Sequence, residues 1–543
     1  MKRYYISLQM LLWVAVGAGW WWADSVAIKR FVAPVAPVQP TMGATMAPPL
    51  PPGHPLAQRV VMVMLSGVGA SSLNDPANPF AFGTLRRLAA EGAWGISDSV
   101  VPSGDLPTWT ALLTGAPPRI SGVASEQGNT SGGDSLLRKA SSRLVIGSQR
   151  ALISRSIAPG VTQVQQSASS ERVAETASTT LRNDHSQLVV IVLDLARREQ
   201  YSGSQLWERV DAQLAEITNV LDPQHDSLLV TADHGLLPNG SFGGEEPEVT
   251  QTPLVLWGAG ITAGPAGTVR QIDLAPTVAL LLGIDPPALS AGRPLFEVLH
   301  FAPQEQARVH LAWLDQQMGL QQQLGMGKRA VAPEVEAAHR AFAQGDWEAT
   351  VVAAEAAGQQ LTGATPALSL GGSVYLWGVG FPLLLLLGAR LLARWGQRVV
   401  RWIALSVLGT ELYILAWSLI FFVLAGRTIS LSALYSNIGG QLVSVGAWAV
   451  LALSVAVLPL AWAAVGHGPR YTLRQVGRLV GLLQVVGALW VVAIVLVVKQ
   501  PLVQTGAWAG LLILLAQLAG IGLSAPVVGG FAAALTDVFE RGR

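Results

Sequence analysis

Hydrophobic positions along this chain fall into three textures, and each predicts a different kind of element. Short apolar runs bounded by polar turns lie between residues 59 and 257, and long uncharged runs lie at the N-terminus and after residue 370. Between them is a Gln- and Ala-rich stretch. RVVMVML (59–65), LVVIVL (188–193), SLLVT (227–231) and LVLW (254–257) are apolar at every or nearly every position, as strands covered on both faces are. Residues 94–100 also read as extended, while 80–92, 206–221 and 274–282 carry apolar positions at helical spacing. Apolar strands that alternate with helices predict an α/β fold with a doubly wound, mostly parallel sheet. Residues 303–360 lack strand signals and predict a small helical hairpin or stalk. AFAQGDWEATVVAAEAA (341–357) resembles half of a helical repeat, but one copy is not an array.

The long runs have membrane-spanning length. Between Arg3 and Asp24 lie 20 uncharged residues ending in Trp20, Trp21, Trp22 and Ala23. About 20 apolar residues cross a hydrocarbon core, and aromatic clusters suit its interface. A cleaved signal peptide is the alternative reading of this segment. Further spans are predicted at 373–393, 402–425, 442–465, 479–498 and 506–525. Arg390, Arg394, Arg398 and Arg401, then Arg470, Arg474 and Arg478, then Arg541 and Arg543 all fall on the side of Lys2 and Arg3. The opposite loops hold only Arg427 and Lys499. The positive-inside rule therefore predicts a multi-pass plasma-membrane protein with cytoplasmic termini and residues 25–370 outside the cytoplasm.

The resulting division is an anchor at 1–24, a Pro-rich linker at 25–57, an extracytoplasmic domain at 58–300, a helical stalk at 301–368 and a five-span membrane domain at 369–543. The core of the linker (33–56) is uncharged apart from His54 and reads as a semi-rigid spacer. Glu411 lies inside a predicted span, where a carboxylate is costly: it is either a functional residue or a hydrogen-bonded one that holds two helices together.

Composition sharpens this picture. Of 543 residues 51% are hydrophobic and only 13% charged, against about 25% in soluble domains. With 35 Lys+Arg against 34 Asp+Glu, nothing in the charge calls for a nucleic-acid partner. The absence of cysteine excludes disulfides, cysteine nucleophiles, Fe–S clusters and thiolate zinc sites.

Chemistry in an open α/β sheet lies beyond the carboxyl ends of its strands. Ser66-Gly67-Val68 follows the first strand, Asp194 ends LVVIVL, and TADHG (231–235) closes SLLVT. PSGDLPTW (102–109) leads into a helix, and Phe242-Gly243-Gly244 comes shortly after TADHG. PTWTALLTG (107–115), TADHG, GGEEPEVTQTPLVLWGAGI (243–261) and VRQIDLAPTVALLLGI (269–284), in this order, resemble the alkaline phosphatase superfamily over about residues 58–297. The likeness is to its type I phosphodiesterase/nucleotide pyrophosphatase branch and to GPI ethanolamine-phosphate transferases, whose membrane layout is also similar.

That resemblance implies an alkaline-phosphatase-like fold and two divalent cations, usually zinc, that activate a Thr or Ser nucleophile. It places the nucleophile at Asp105 and metal ligands at Asp194, Asp233 and His234. Ser66, Arg198 and Phe242 stand where the family has further ligands, and Ser121-Gly122-Val123 replaces its frequent His-Gly-Val. A phenyl ring offers no lone pair and a guanidinium only donates, so the cage of Asp194, Arg198 and Phe242 is expected to hold no cation. At most one zinc or other divalent ion is expected, at Asp105, Asp233 and His234.

Plainer roles are open for each residue. Asp105 can cap a helix starting near Thr108, Asp194 and Arg198 can form an ion pair, and Asp233 and His234 can serve the turn itself. His185 and His225 precede strands and are expected at the opposite edge of the sheet. Three functions follow. The first is a binding or scaffolding ectodomain with a degenerate site, in which Arg198 binds the phosphate of a lipid or glycolipid. The second is a hydrolase or phosphoethanolamine-type transferase on a membrane lipid or glycolipid, with one metal at Asp105, Asp233 and His234 or an aspartyl-phosphate on Asp105. The third is a transporter or assembly subunit centred on Glu411. No protein partner is named by the sequence.

Overall fold

The computed structural model describes residues 54–73, 83–123, 134–154, 163–194, 204–238, 240–323, 332–362 and 438–458, with Tyr413 and parts of 465–480 and 521–541. Arg198, Glu411, the N-terminal run and nearly all of the predicted spans other than 442–465 lie outside the described residues. Helix Ile438–Ala456 overlaps the run at 442–465. Among the described residues no helix is long and apolar enough to cross a membrane. The chain divides into two compact units, Ala33–Pro366 and Met1–Val32 with Ala367–Arg543.

In the first unit, eight strands among the described residues form one sheet: β1 (Arg59–Leu65), β2 (Ala93–Asp98), β3 (Arg143–Ser148), β4 (Gln163–Ser167), β5 (Leu188–Leu193), β6 (Asp226–Thr231), β7 (Gln251–Gly258) and β8 (Gly264–Arg270). Their order is β4-β3-β5-β1-β6-β7-β2-β8. All run parallel except β7, which is antiparallel to both of its neighbours. The expected mixed, mostly parallel α/β sheet is present.

Helices α1 (Gly83–Glu91), α2 (Asp105–Thr114), α3 (Val173–Asn183), α4 (Ser204–Thr218) and α5 (Leu274–Leu282) cover it on both sides. Strand alternation decides the layers. Met62 and Met64 of β1, with Val190 and Val192 of β5, pack in one cluster with Leu106, Trp109 and Leu112 of α2 and Leu274, Val278 and Leu281 of α5. Val61, Val63 and Leu65, with Val189 and Ile191, join Leu85 of α1, Leu181 of α3 and Leu214 of α4 on the opposite face. Each fully buried side chain of this size contributes about 1.5–3 kcal/mol, and β1 and β5 present them on both faces. That is why these two strands read as unbroken apolar runs.

The pattern does not predict β3, β4, β8 or α3. β4 (QVQQS) and β8 (GPAGTVR) are the edge strands, and their polar, Gly-rich sequences follow from having one ladder and much solvent. Helix α3 (VAETASTTLRN) is rich in Thr and Ser, and apolar positions at helical spacing fasten it to the sheet.

Residues beyond 300 form α6 (Pro303–Gln323), α7 (Ala332–Ala343) and α8 (Trp347–Thr362). Leu311, Leu314, Ala338, Ala354, Ala357 and Leu361 make their shared core. Trp313 of α6 donates from Nε1 to the Gly292 carbonyl (3.1 Å). Arg293 pairs with Glu355 of α8 and with Glu297, so the hairpin is docked on the sheet domain by charge as well as by apolar contact.

Candidate metal centre

Three adjacent parallel strands, β5, β1 and β6, end at one level. Leu65 is in register with Leu193, and Met64 with both Val192 and Thr231. The Ser66 N–H donates to the Leu193 carbonyl (2.8 Å), which carries the β1–β5 ladder one residue further. Continuing the alternation, Asp194, Ser66 and Asp233 stand side by side on the face that α2 and α5 cover. Asp105, the first residue of α2, meets them there.

Asp233 is fully buried and heavily hydrogen-bonded. Its Oδ2 accepts from Ser66 Oγ (2.7 Å), and its Oδ1 accepts from the backbone N–H of Gly67 (3.0 Å) and of His234 (2.8 Å). Its carbonyl is held by Ser99 Oγ (2.7 Å) and Gln271 Nε2 (2.8 Å). Gln271 comes from the QIDLAPT segment, so that motif buttresses TADHG from behind.

His234 is also fully buried. Its Nδ1 lies 2.8 Å from the Gly235 carbonyl, and a carbonyl only accepts, so Nδ1 carries a proton. That directs Nε2 at Asp105 Oδ1, 3.0 Å away. An imidazole nitrogen and a carboxylate oxygen at this separation need a proton or a cation between them. Asp105, Asp233 and His234 present ligand atoms that all lie within 4.8 Å of one another, and all three are buried. The donor set of two carboxylates and one imidazole with its far nitrogen pinned to a carbonyl suits a divalent cation such as zinc. Such an ion fits here, and bound it would act as a Lewis acid on a phosphoryl oxygen.

One sequence expectation changes. Helix α2 begins at Asp105, with Gly104 as N-cap and no side-chain cap bond, so Asp105 does not cap a helix starting near Thr108. Its carboxylate is turned to His234, and the positive end of α2 favours its charge. Phe242, at a position where the family has a ligand, stacks its ring on His234 with centroids 4.4 Å apart and planes 6° from parallel.

Asp194 is buried away from this cluster's ligand atoms. Its Oδ2 accepts from Ser148 Oγ at the end of β3 (2.9 Å), while its Oδ1 has no hydrogen-bond partner. His225 precedes β6, is exposed and pairs with Asp222 (2.8 Å). His185 lies just before β5 and is likewise exposed.

Sequence reasoning does not single out Ser103 or Ser148. Ser103 is fully buried between the cis Val101–Pro102 bond and Gly104, and its Oγ donates to the Gly244 carbonyl (2.7 Å). This bond ties the turn before α2 to the Phe242-Gly243-Gly244 turn. The only signal was the position of Ser103, a small hydroxyl residue just ahead of a helix start.

No model of a known protein family matches the chain. Its curated relatives include GPI ethanolamine phosphate transferase 1 of Aspergillus fumigatus, 32% identical over 132 residues, or 19% of this chain and 13% of the relative. The mouse GPI ethanolamine phosphate transferase 1 is 25% identical over 311 residues, 46% of this chain and 33% of the relative. The human GPI ethanolamine phosphate transferase 2 catalytic subunit is 35% identical over 96 residues, 16% of this chain and 10% of the relative. The chain thus matches a third or less of each of these relatives. Similar solved structures include an alkaline phosphatase superfamily protein from Vibrio parahaemolyticus (TM-score 0.39, 15% identity, 51% of this chain and 78% of that one). Another is the lipoteichoic acid synthase LtaP from Listeria monocytogenes (TM-score 0.32, 14% identity, 42% and 73%). At these scores they add nothing to the fold argument, which rests on the sheet itself. The motif resemblance to GPI ethanolamine-phosphate transferases is borne out by the relatives.

Proposed function

We propose that residues 58–300 are a membrane-tethered, extracytoplasmic domain of phosphoethanolamine-transferase-like kind. It binds the phosphorylated headgroup of a lipid or glycolipid at one divalent cation held by Asp105, Asp233 and His234. The observation that carries this reading is the convergence of those three buried side chains at the carboxyl edge of the sheet. The relatives supply the substrate class, since they are named for transferring ethanolamine phosphate.

A single cation accounts for the departures. Ser66 donates a neutral hydrogen bond to Asp233 where a second anion would raise the charge for another metal. Phe242 covers a face of His234 with carbon. Arg198, four residues beyond Asp194 in sequence, adds a fixed positive charge suited to a phosphate oxygen rather than a metal. The N-terminus of α2 offers a further anion-binding end.

A catalytic version through an aspartyl-phosphate on Asp105 is disfavoured, because that carboxylate faces His234 Nε2 at 3.0 Å.

Zinc content and phosphodiester turnover of the full chain in detergent separate these outcomes. One zinc per chain, lost in Asp233→Ala, is the expected result. Two per chain, or none, overturns the one-cation site. Turnover abolished both by chelation and by Asp233→Ala removes the binding-only reading.

A further inference from the structure

We infer that the loop at 287–293 is a clamp for the metal centre: gripped by the helical hairpin, it fixes the backs of the two supports that carry Asp105 and Asp233, so that docking of the hairpin sets cation affinity. The inference rests on the reading above for the cation that is tuned, but not for the coupling itself.

The grip comes from α6. Gln316 Nε2 donates to the Pro287 carbonyl (2.8 Å), Gln317 Nε2 to the Ser290 carbonyl (3.0 Å) and Trp313 Nε1 to the Gly292 carbonyl (3.1 Å). At spacings of three and four residues from Trp313, the two glutamines share its face of the helix. Trp313 and Gln317 are buried, so a loop that pulled away would leave polar groups unmet on both sides.

The other side of the loop meets both supports. Ala291 donates its N–H to the Gly115 carbonyl (2.9 Å), at the C-terminal end of α2, whose first residue is Asp105. Arg293 donates its N–H to Asp273 Oδ1 (2.8 Å), and Gly292 lies so close to Ile272 that a Cβ there would collide with the Ile272 carbonyl. Ile272 and Asp273 belong to the turn that begins with Gln271, whose Nε2 holds the Asp233 carbonyl (2.8 Å).

Neither support can absorb a shift. Helix α2 has 10 residues and is buried from Asp105 to Leu113. At 1.5 Å per residue it is a rod about 15 Å long, so a displacement at Gly115 reaches Asp105. Gln271 is fully buried and bonds directly to the backbone of a ligand residue. Ligand atoms gathered within 4.8 Å tolerate little misplacement, and groups behind the ligands govern metal affinity. Gln271, Trp313 and Gln317 are positioning residues in this scheme, and none of them is a ligand. The ring of Trp313 also lies against Gly358 of α8, where a Cβ would collide with it, so Gly358→Ala is a wedge between two helices of the hairpin.

Hydrogen exchange of the full chain in detergent, with β1 as the reference, tests the clamp. Without metal, Gly358→Ala is expected to speed exchange in 303–362 and, with it, in 285–295, 104–115 and 231–236, by about fivefold or more, the low end of couplings between sites. Faster exchange confined to 303–362 overturns the clamp. Where β1 speeds up as well, Trp313→Phe, which keeps a ring and loses the Nε1 donor, decides by the same comparison. Coupling is reciprocal, so saturating zinc is expected to slow opening of the wild-type hairpin by about fivefold or more, among amides that exchange faster than those of β1. Zinc that binds without slowing the hairpin overturns the clamp and leaves the one-cation site standing. No zinc bound by the wild type overturns the one-cation site, and the metal-free comparison then decides the clamp alone.

Discussion

His234 has one ring nitrogen pinned to a carbonyl, the other aimed at a carboxylate, and a face covered by Phe242. The hydrogen bonds set the tautomer, and the stacked ring resists rotation and excludes water from one side. Groups that orient a metal-ligating histidine are typically worth about 10–100-fold in metal affinity. Phe242→Ala is therefore expected to weaken zinc binding by roughly that factor, and Phe242→Tyr, which keeps a stacking ring, should stay close to wild type. Chelator competition reads the affinity, and the acylation rate of His234 by diethylpyrocarbonate, followed by mass spectrometry, reads ring access without any metal. Equal zinc affinity and equal acylation in Phe242→Ala would reduce the stack to packing. At this scale local pattern alone made the site legible only where residues are contiguous. TADHG announces itself because a carboxylate, an imidazole and a glycine follow a buried strand without a gap. Ser148 and Ser103 do not, since a serine near a strand or helix end is ordinary turn chemistry until a partner far along the chain is known. Asp105 was legible as a companion of Asp233 and His234 only through the family resemblance, because 129 positions separate it from His234 and no local pattern links them.

At the scale of elements, the strands legible from sequence are those buried on both faces, because only full burial writes an unbroken apolar run. The edges β4 and β8 stay hidden for the converse reason, and they do not touch the site. The helical hairpin was legible as helix, but its docking was not, because that depends on Arg293, Glu355 and His310 meeting across the fold. Burial opposes the charge on Glu355, yet hydrogen bonds from His310 and Arg293 hold its carboxyl down at about 2, from an ordinary 4.5. Burial likewise opposes the charge of Arg293, and the Glu297 and Glu355 carboxylates push it up. A carboxyl depressed in the folded state stabilises fully above its unfolded value, and the contribution is lost as pH falls through the folded one. Glu355→Gln is thus expected to loosen α6 and α8 by about 1–3 kcal/mol near neutral pH. The difference from wild type should hold from pH 7 to about 5 and shrink as the pH drops below about 4.5. Hydrogen exchange of 303–362, with β1 as the internal reference, measures it. A gap that grows with acid would mean that the pair is not what fastens the hairpin.

Over the whole molecule, the layout is written in composition rather than in any single motif. A Pro-rich spacer, an α/β domain and a docked helical hairpin fill one compact unit, while the long apolar runs belong to the other. If all six apolar runs cross, Arg-containing segments 390–401, 470–478 and the tail share one side with Lys2 and Arg3, and only Arg427 and Lys499 lie opposite. Translocating a short Arg-rich loop is disfavoured, which makes this asymmetry an argument for orientation as well as for the number of crossings. It also bears on the proposed site: with the predicted orientation, a headgroup-binding domain would meet lipids or glycolipids of the outer leaflet and would draw its cation from outside the cytoplasm. A reporter active only in the cytoplasm is expected to be active when fused after Arg543 and silent when inserted near Gly132. Activity at Gly132 with silence at the C-terminus reverses the orientation. Silence at both positions means an odd number of crossings separates the termini, so one of the six apolar runs does not span. Activity at both places the α/β domain in the cytoplasm, where its proposed lipid partner would have to lie in the inner leaflet.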